Sequence, residues 1–215
     1  MARNVRLAFS KTGRMAWLSH LDLMAVFARS FARARLPLRY TEGFNPHAYL
    51  SVALPLPVGF QSVCERLDFG MLGEPDYAAL PGIISAALPD GLRVTAAGPD
   101  GRKLAEVLFA GYRMEAETGA SPERVAEVFS RPVFVDKRAK KGGTVRTDIT
   151  PMIRSLSCAP APNGLTVSVV VAAQNPTLNP EYIADAWREL LDPDAAFRFT
   201  RTAIYGADGE LFDNL

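Results

Sequence analysis

Two short segments near the N-terminus carry the residue types that bind anions or move protons. The first is Ser19-His20-Leu21-Asp22, and the second covers residues 40–47 with the sequence YTEGFNPH. Together they contain both histidines of the chain. An imidazole suits acid–base chemistry and anion binding alike, because it is the side chain that changes charge near neutral pH.

Both segments lie at predicted junctions between elements, where functional groups are often placed. The free amides and the dipole at a helix start favour a phosphate or a carboxylate there. The candidate anion-binding or substrate-binding residues are therefore Ser19, His20, Asp22, Arg39, Glu42, Asn45 and His47. One alternative is that Ser19 and Asp22 only cap the helix. Another is a stand-alone enzyme whose pocket contains His20, Asp22, Glu42 and His47.

A second candidate site is a run of basic residues in the second half of the chain. Gly142 and Gly143 place this run on a turn, where cations can contact phosphates with salt-dependent affinity. The candidate nucleic-acid-binding residues are Arg131, Lys137, Arg138, Lys140, Lys141 and Arg146. The neighbouring aromatic residue, Phe134, is expected in the core, so no base-stacking surface is evident. A solvated basic hairpin without a ligand is the alternative.

Familiar catalytic and cofactor motifs are absent from the sequence. It contains no GxxxxGK[ST] phosphate loop, no HExxH, no GxSxG, and no CxxC or CxxxC pair. Cys64 has no nucleophile motif around it. Asp185 and Glu189 have helical spacing, but no histidine accompanies them. We therefore expect this chain itself to bind no metal and no cofactor.

The first 98 residues alternate between strand and helix patterns. Apolar residues at 5, 7 and 9 predict a strand, and those at 23, 27 and 31 predict a helix. Strands at 48–54, 63–72 and 92–96 and a helix at 77–88 complete a β-α-β-β-α-β order. This order is typical of the ferredoxin-like, split βαβ arrangement, in which helices cover one face of an antiparallel sheet.

The second half repeats this pattern less clearly. We predict strands at 107–115, 133–135, 166–172 and 197–205, a helix that starts at 121–123, and a helix at 179–191. Residues 144–149 are predicted to pair with the strand before the basic turn, and residues 151–156 to form a helical turn. The predicted fold is thus α+β, with two ferredoxin-like halves. Residues 1–99 form the first half, and residues 100–215 form a more divergent half with a basic hairpin.

The net charge of +1 conceals an uneven distribution of charge. Residues 1–50 contain eight basic and two acidic side chains, whereas residues 151–215 contain four basic and eight acidic ones. The near-zero net charge excludes a histone-like protein that binds polyanions over its whole surface, but it is compatible with a local anion-binding site. The chain has two cysteines, no secretory signal pattern and no long apolar run. We therefore expect a cytoplasmic protein with no membrane contact.

Three segments in the first 70 residues resemble the radical-SAM-linked protein family. They are residues 17–24 (WLSHLDLM), 40–47 (YTEGFNPH) and 54–59 (LPLPVG), and residues 148–153 resemble the family's second-half pattern. Members of that family lie beside, or are fused to, radical SAM proteins that often carry a cobalamin-binding domain. Their gene neighbourhood often includes a ribonuclease and ribosomal proteins, which hints at RNA.

The resemblance implies an accessory role. We expect a module that docks on a radical SAM enzyme or presents a substrate to it, with RNA or another anion as that substrate. The sequence has no CxxxCxxC. The partner would therefore carry the iron–sulfur cluster, S-adenosylmethionine and, in some cases, cobalamin. A structural adaptor without a ligand is a further alternative, and the sequence does not predict an oligomeric state.

Overall fold

A computed structural model describes residues 2–138, 142–212 and 215. The chain divides into two compact units, one of Met1–Val107 with Leu211–Leu215 (unit 1) and one of Leu108–Glu210 (unit 2). Each unit contains helices and an antiparallel sheet, and the described residues form four α helices in all. The predicted α+β class is therefore confirmed. Within the described residues, every helix is too short or too polar to span a bilayer.

Among its described residues, unit 1 contains four strands and two helices. In chain order they are β1 (Ala2–Lys11), α1 (His20–Arg33), β2 (Leu50–Val52), β3 (Gln61–Leu72), α2 (Leu80–Ala87) and β4 (Leu92–Pro99). The strands are antiparallel and lie in the order β4-β1-β3-β2. Short 3-10 turns at Gly13–Trp17 and Leu104–Glu106 complete the described elements.

The alternating sequence of β1 gives the unit 1 sheet two different faces. Apolar residues 5, 7 and 9 pack against Phe27 and Phe31 of α1 in a buried core. The rings of Phe9 and Phe27 meet edge to face at a centroid distance of 4.9 Å. Because side chains alternate along a strand, Asn4 and Arg6 lie on the opposite, helix-free face. That face is the polar side of the unit.

Unit 2 contains six strands and two helices among its described residues. They are β5 (Phe109–Glu117), α3 (Pro122–Phe129), β6 (Phe134–Arg138), β7 (Thr144–Asp148), β8 (Ile153–Ala161), β9 (Gly164–Ala172), α4 (Glu181–Leu190) and β10 (Ala196–Tyr205). The antiparallel order is β10-β5-β9-β8. Strands β6 and β7 form a separate two-stranded hairpin, as the sequence predicts.

Two local predictions are corrected by long-range pairing. Residues 48–54 were expected to form a full strand, but β2 is limited to Leu50–Val52 because the preceding residues pair within a hairpin, with Tyr40 bridged to Ala48. The helical turn predicted at 151–156 is confined to Thr150–Met152. The chain from Ile153 onward is strand β8 because it pairs with β9.

Candidate functional site

A cavity of about 280 Å³ opens on the helix-free face of unit 1, and we call it the unit 1 cavity. Its floor is formed by Arg6 of β1 and Asp68 of β3, which are direct cross-strand neighbours. Asn4, Tyr49 and Ser51 line it as well, together with residues 100–105, which follow β4. The cavity is therefore positioned by strand register and by the segment that leaves the sheet.

Arg6 and Asp68 form a buried, two-pronged ion pair. Arg6 Nε lies 2.7 Å from Asp68 Oδ1, and Nη2 lies 2.8 Å from Oδ2. The two side chains are only 2% and 14% exposed. The Arg6 guanidinium also lies 5.3 Å from the ring centroid of Phe212. Such a bidentate pair has a fixed geometry, so the floor of the cavity is rigid and close to neutral.

Arg39 lies beside this floor, against a glycine. A side-chain carbon on Gly70 would come within 2.8 Å of Arg39 Nε, so the guanidinium occupies the space that a larger residue would fill. Arg39 Nη2 donates to Asn4 Oδ1 at 3.2 Å, and the guanidinium carbon lies 4.8 Å from the ring centroid of Tyr49. No carboxylate pairs with Arg39 among the described residues. Its orientation is fixed while its charge stays available to a ligand.

Residues 39–49 form a short hairpin at this edge of the sheet. Its backbone bonds join Thr41 N to His47 O at 2.8 Å and Tyr49 N to Arg39 O at 3.2 Å. Because side chains alternate, Arg39, Thr41, His47 and Tyr49 share one face of the hairpin. His47 Nδ1 lies 3.2 Å from both Thr41 Oγ1 and the carbonyl oxygen of Asn45. The structure therefore brings the predicted residues Arg39 and His47 onto the hairpin face that contains Tyr49 of the cavity wall.

The segment after β4 supplies further charges to the cavity. Asn4 Nδ2 donates to Asp100 Oδ2 at 2.8 Å. Arg102 lies 5.3 Å from the ring centroid of Phe212 and 3.4 Å from a carboxylate oxygen of Glu106. Lys103 is exposed beside them. Three cations, Arg6, Arg102 and Lys103, therefore line the cavity together with the carboxylates of Asp68 and Asp100. Arg39 lies beside this lining, in contact with Asn4 and Tyr49.

The predicted residues Ser19, His20 and Asp22 lie at the start of α1. Ser19 Oγ accepts a hydrogen bond from the Asp22 amide at 3.2 Å, and its hydroxyl donates to the Asp22 carboxylate at 2.7 Å. Capping thus accounts for the spacing of these two residues. His20 Nδ1 is buried without a hydrogen-bond partner in the described part of the chain. Lys11 holds this end of the helix by donating to Leu18 O at 3.1 Å.

The two histidines are not brought into one pocket. The start of α1 is tied to Lys11, at the end of β1. The 39–49 hairpin adjoins Gly70, whose partner in β1 is Asn4. Lys11 and Asn4 are seven residues apart on β1, so at roughly 3.3 Å per residue these two levels of the strand are about 23 Å apart. The alternative pocket of His20, Asp22, Glu42 and His47 is thus divided between two places, because α1 carries the chain back along the sheet before the hairpin begins.

The basic residues of unit 2 are mostly engaged with neighbouring groups. Arg131 pairs with Glu127 at 2.9 Å, and Arg146 pairs with Glu189 of α4 at 3.3 Å. Lys137 Nζ donates to Thr177 O at 2.8 Å, and burial lowers the pKa of this ammonium. The side chain of Arg138 lacks a polar partner among the described residues. The predicted residues Lys140 and Lys141 lie outside those residues. Phe134, expected in the core, is instead 45% exposed, because side chains alternate along β6 and its neighbours Val133 and Val135 take the buried positions.

The two cysteines lie in environments that do not activate a thiol. Burial raises the pKa of the Cys158 thiol to about 11, which disfavours the reactive thiolate. Cys64 Sγ lies 3.7 Å from Ser62 Oγ, a weakly polar contact. Within residues 2–138, 142–212 and 215, no three His, Cys, Asp or Glu side chains are grouped to hold a metal ion.

Most residues of the unit 1 cavity escape sequence reasoning. The sequence predicts Arg39, which lies beside the cavity, as an anion-binding residue. It does not predict the polar residues that line the cavity, namely Asn4, Arg6, Tyr49, Ser51, Asp68, Asp100, Arg102 and Lys103. The usable signal was a charged residue between apolar neighbours, as in Leu67-Asp68-Phe69. That pattern identifies a side chain on the second face of a sheet but not its cross-strand partner.

Comparison with other proteins identifies the family of this chain. A search of curated proteins finds no match. A crystal structure of an unknown protein from Galdieria sulphuraria aligns with 94% of this chain and 99% of that chain, at 10% identity and a TM-score of 0.28, which is too low to support an argument. The family of uncharacterised proteins conserved in bacteria, DUF2344, matches residues 4–180. Because that match covers most of the sequence, the chain belongs to the DUF2344 family.

Proposed function

We propose that this chain is an accessory module that holds an anionic substrate for a radical SAM enzyme. The observation that carries the proposal is Arg39, which lies beside the unit 1 cavity. Two residues of the cavity lining, Asn4 and Tyr49, orient it, and no carboxylate pairs with it among the described residues. A guanidinium whose geometry is fixed before binding loses little entropy when it meets an anion. The partner is inferred from the three segments that resemble the radical-SAM-linked family.

We also infer that the two units are ferredoxin-like. Support comes from their strand orders, β4-β1-β3-β2 and β10-β5-β9-β8, in which the last strand of each unit lies beside the first. The β6–β7 hairpin is then an insertion between α3 and β8. Such a fold leaves one sheet face free of helices, and in unit 1 that face carries the cavity.

The division of labour with the partner follows from this proposal. The radical SAM enzyme supplies the iron–sulfur cluster, S-adenosylmethionine and, where present, cobalamin. This chain supplies binding and orientation at the unit 1 cavity. RNA is the first substrate class to test, because phosphodiesters are anionic and the resemblance hints at RNA.

The docking part is tested by co-expression with a radical SAM protein of the kind that accompanies members of the resembled family. We expect the two proteins to elute together in size-exclusion chromatography after affinity capture through one of them. A radical SAM enzyme from an unrelated operon serves as the control. The absence of a complex, with and without substrate, would contradict docking.

The substrate part is tested by binding of a fluorescent structured RNA at increasing salt. We expect affinity to fall steeply with salt, because phosphate contacts release counterions. Arg39→Ala and the double variant Lys140→Ala/Lys141→Ala distinguish the unit 1 cavity from the basic hairpin as the binding surface. An affinity that does not respond to salt would remove RNA as the substrate. A stable complex with the enzyme but no anion binding would instead favour a structural adaptor.

A further inference from the structure

The two carboxylates of the unit 1 cavity restrict the ligand that fits there. Asp100 is exposed and held by Asn4 at 2.8 Å, so it faces the cavity in a fixed position beside the cations. A site for a bare anion gains nothing from such a carboxylate, because like charges repel at short range. The arrangement suits a ligand that carries an anionic group together with hydroxyl donors. In dinucleotide sites, acidic side chains accept hydrogen bonds from ribose hydroxyls in this way.

The cavity wall also offers an aromatic surface. Tyr49 is 44% exposed, and Arg39 orders its ring by stacking on it. Phe44, in the turn of the same hairpin, is fully exposed. Exposed aromatic faces beside a guanidinium are the groups on which nucleic-acid bases stack. Unit 1 therefore offers an aromatic surface whose ring lies against a guanidinium.

The size of the cavity agrees with a ligand larger than phosphate. Its volume of about 280 Å³ corresponds to roughly nine water molecules at about 30 Å³ each. Inorganic phosphate, with five heavy atoms, leaves much of that space unfilled. A sugar and part of a base fill it better.

We propose that the unit 1 cavity binds a nucleotide. The phosphate is held by Arg39 and Lys103, a ribose hydroxyl donates to Asp100, and the base lies against the ring of Tyr49. The inference rests on the proposed function, since it names the class of substrate held in the same cavity. A free nucleotide and a nucleotide unit of an RNA strand share this chemistry, and the experiment distinguishes them.

The first experiment is isothermal titration of the full chain with AMP, adenosine and inorganic phosphate. We expect AMP to bind at least tenfold more tightly than either part alone, because it engages both the cations and the aromatic wall. AMP affinity no better than that of phosphate would overturn the nucleotide proposal. If phosphate still binds and its binding is lost in Arg39→Ala, the proposed anion-presenting function remains supported. Failure of the nucleotide proposal can therefore be distinguished from failure of the proposed function.

Matched variants locate the binding site. Arg39→Ala is expected to weaken AMP binding at least tenfold, and Lys103→Ala severalfold. Arg29→Ala removes the same charge from the exposed surface of α1, across the sheet from the cavity, and is expected to stay within twofold. Equal losses in Arg39→Ala and Arg29→Ala would contradict the assignment. Because Lys103 is exposed, its variant tests the site even if Arg39→Ala perturbs folding.

The aromatic wall is tested separately from the charge. Tyr49→Phe keeps the ring and is expected to bind AMP normally, whereas Tyr49→Leu is expected to bind AMP no better than phosphate. Unchanged AMP binding by Tyr49→Leu would overturn the role of the ring. A fluorescent ten-nucleotide oligoadenylate then identifies the source of the ligand. Tighter binding than AMP with the same variant pattern assigns an RNA strand, and weaker binding assigns a free nucleotide.

Discussion

The unit 1 cavity and the basic hairpin of unit 2 both contain several cations, but they use them differently. In the hairpin, Arg146 reaches a carboxylate on α4, and Lys137 reaches a backbone carbonyl. In the cavity, Arg6 is paired with Asp68, whereas Arg39, beside the cavity, contacts an amide oxygen and a ring. The number of basic residues therefore does not identify the binding site. The feature that sets the proposed site apart is an oriented cation, Arg39, with which no carboxylate pairs directly among the described residues.

The largest expected difference between the two regions concerns stability. Asp68→Asn leaves the buried Arg6 without its bidentate carboxylate and is expected to lower the free energy of unfolding by about 3 kcal/mol. Glu189→Gln breaks the half-exposed pair with Arg146 and is expected to cost only a few tenths of a kcal/mol. Urea unfolding followed by circular dichroism measures both. Equal decreases in the free energy of unfolding for the two variants would mean that the ion pair of the cavity floor is no more firmly held than the pair of the hairpin.

The second difference concerns ionic contacts with RNA. If the phosphate meets Arg39, Arg39→Gln should reduce the slope of log affinity against log salt by about one. Arg146→Gln should leave the slope unchanged, because Arg146 is already paired with Glu189. Fluorescence anisotropy with the oligoadenylate at several salt concentrations measures both slopes. A reduced slope in Arg146→Gln alone would move the binding surface to the hairpin.

The third prediction tests how firmly the hairpin is held within unit 2. The backbone N–H of Arg138 donates to the Tyr182 hydroxyl at 3.2 Å. Tyr182→Phe removes this acceptor and is expected to cost about 1 kcal/mol locally. Hydrogen exchange at the Arg138 amide should accelerate, while the amides of β9 keep their protection. No change at that amide would show that the hairpin is held by other contacts.

The smallest expected effect is a pH dependence that originates from Lys137. Burial lowers its pKa in the folded chain, so the unfolded chain binds the proton more tightly. The free energy of unfolding should therefore rise with pH between the lowered pKa of folded Lys137 and its ordinary pKa of 10.5. Lys137→Met should show a shallower rise over that window in urea unfolding at stepped pH. Parallel pH profiles would contradict burial of the ammonium.

Local patterns predicted the elements better than they predicted the site. Helix α1 follows from apolar residues at helical spacing and from the cap formed by Ser19 and Asp22, all within one segment. The strand at Ile153 was mistaken for a helical turn, because its identity depends on pairing with β9 rather than on its own residues. The cavity was mostly missed for the same reason.

The sequence by itself determined the α+β class, the two faces of β1, the capped start of α1 and the choice of Arg39 as a candidate. Each of these depends on neighbours within a few residues. Only the tertiary structure decided that Arg6 meets Asp68 and that His20 and His47 lie apart. These relations depend on cross-strand register between residues more than 60 positions apart and on the direction of α1. Periodicity assigns a side chain to a face, whereas register selects the partner it meets there.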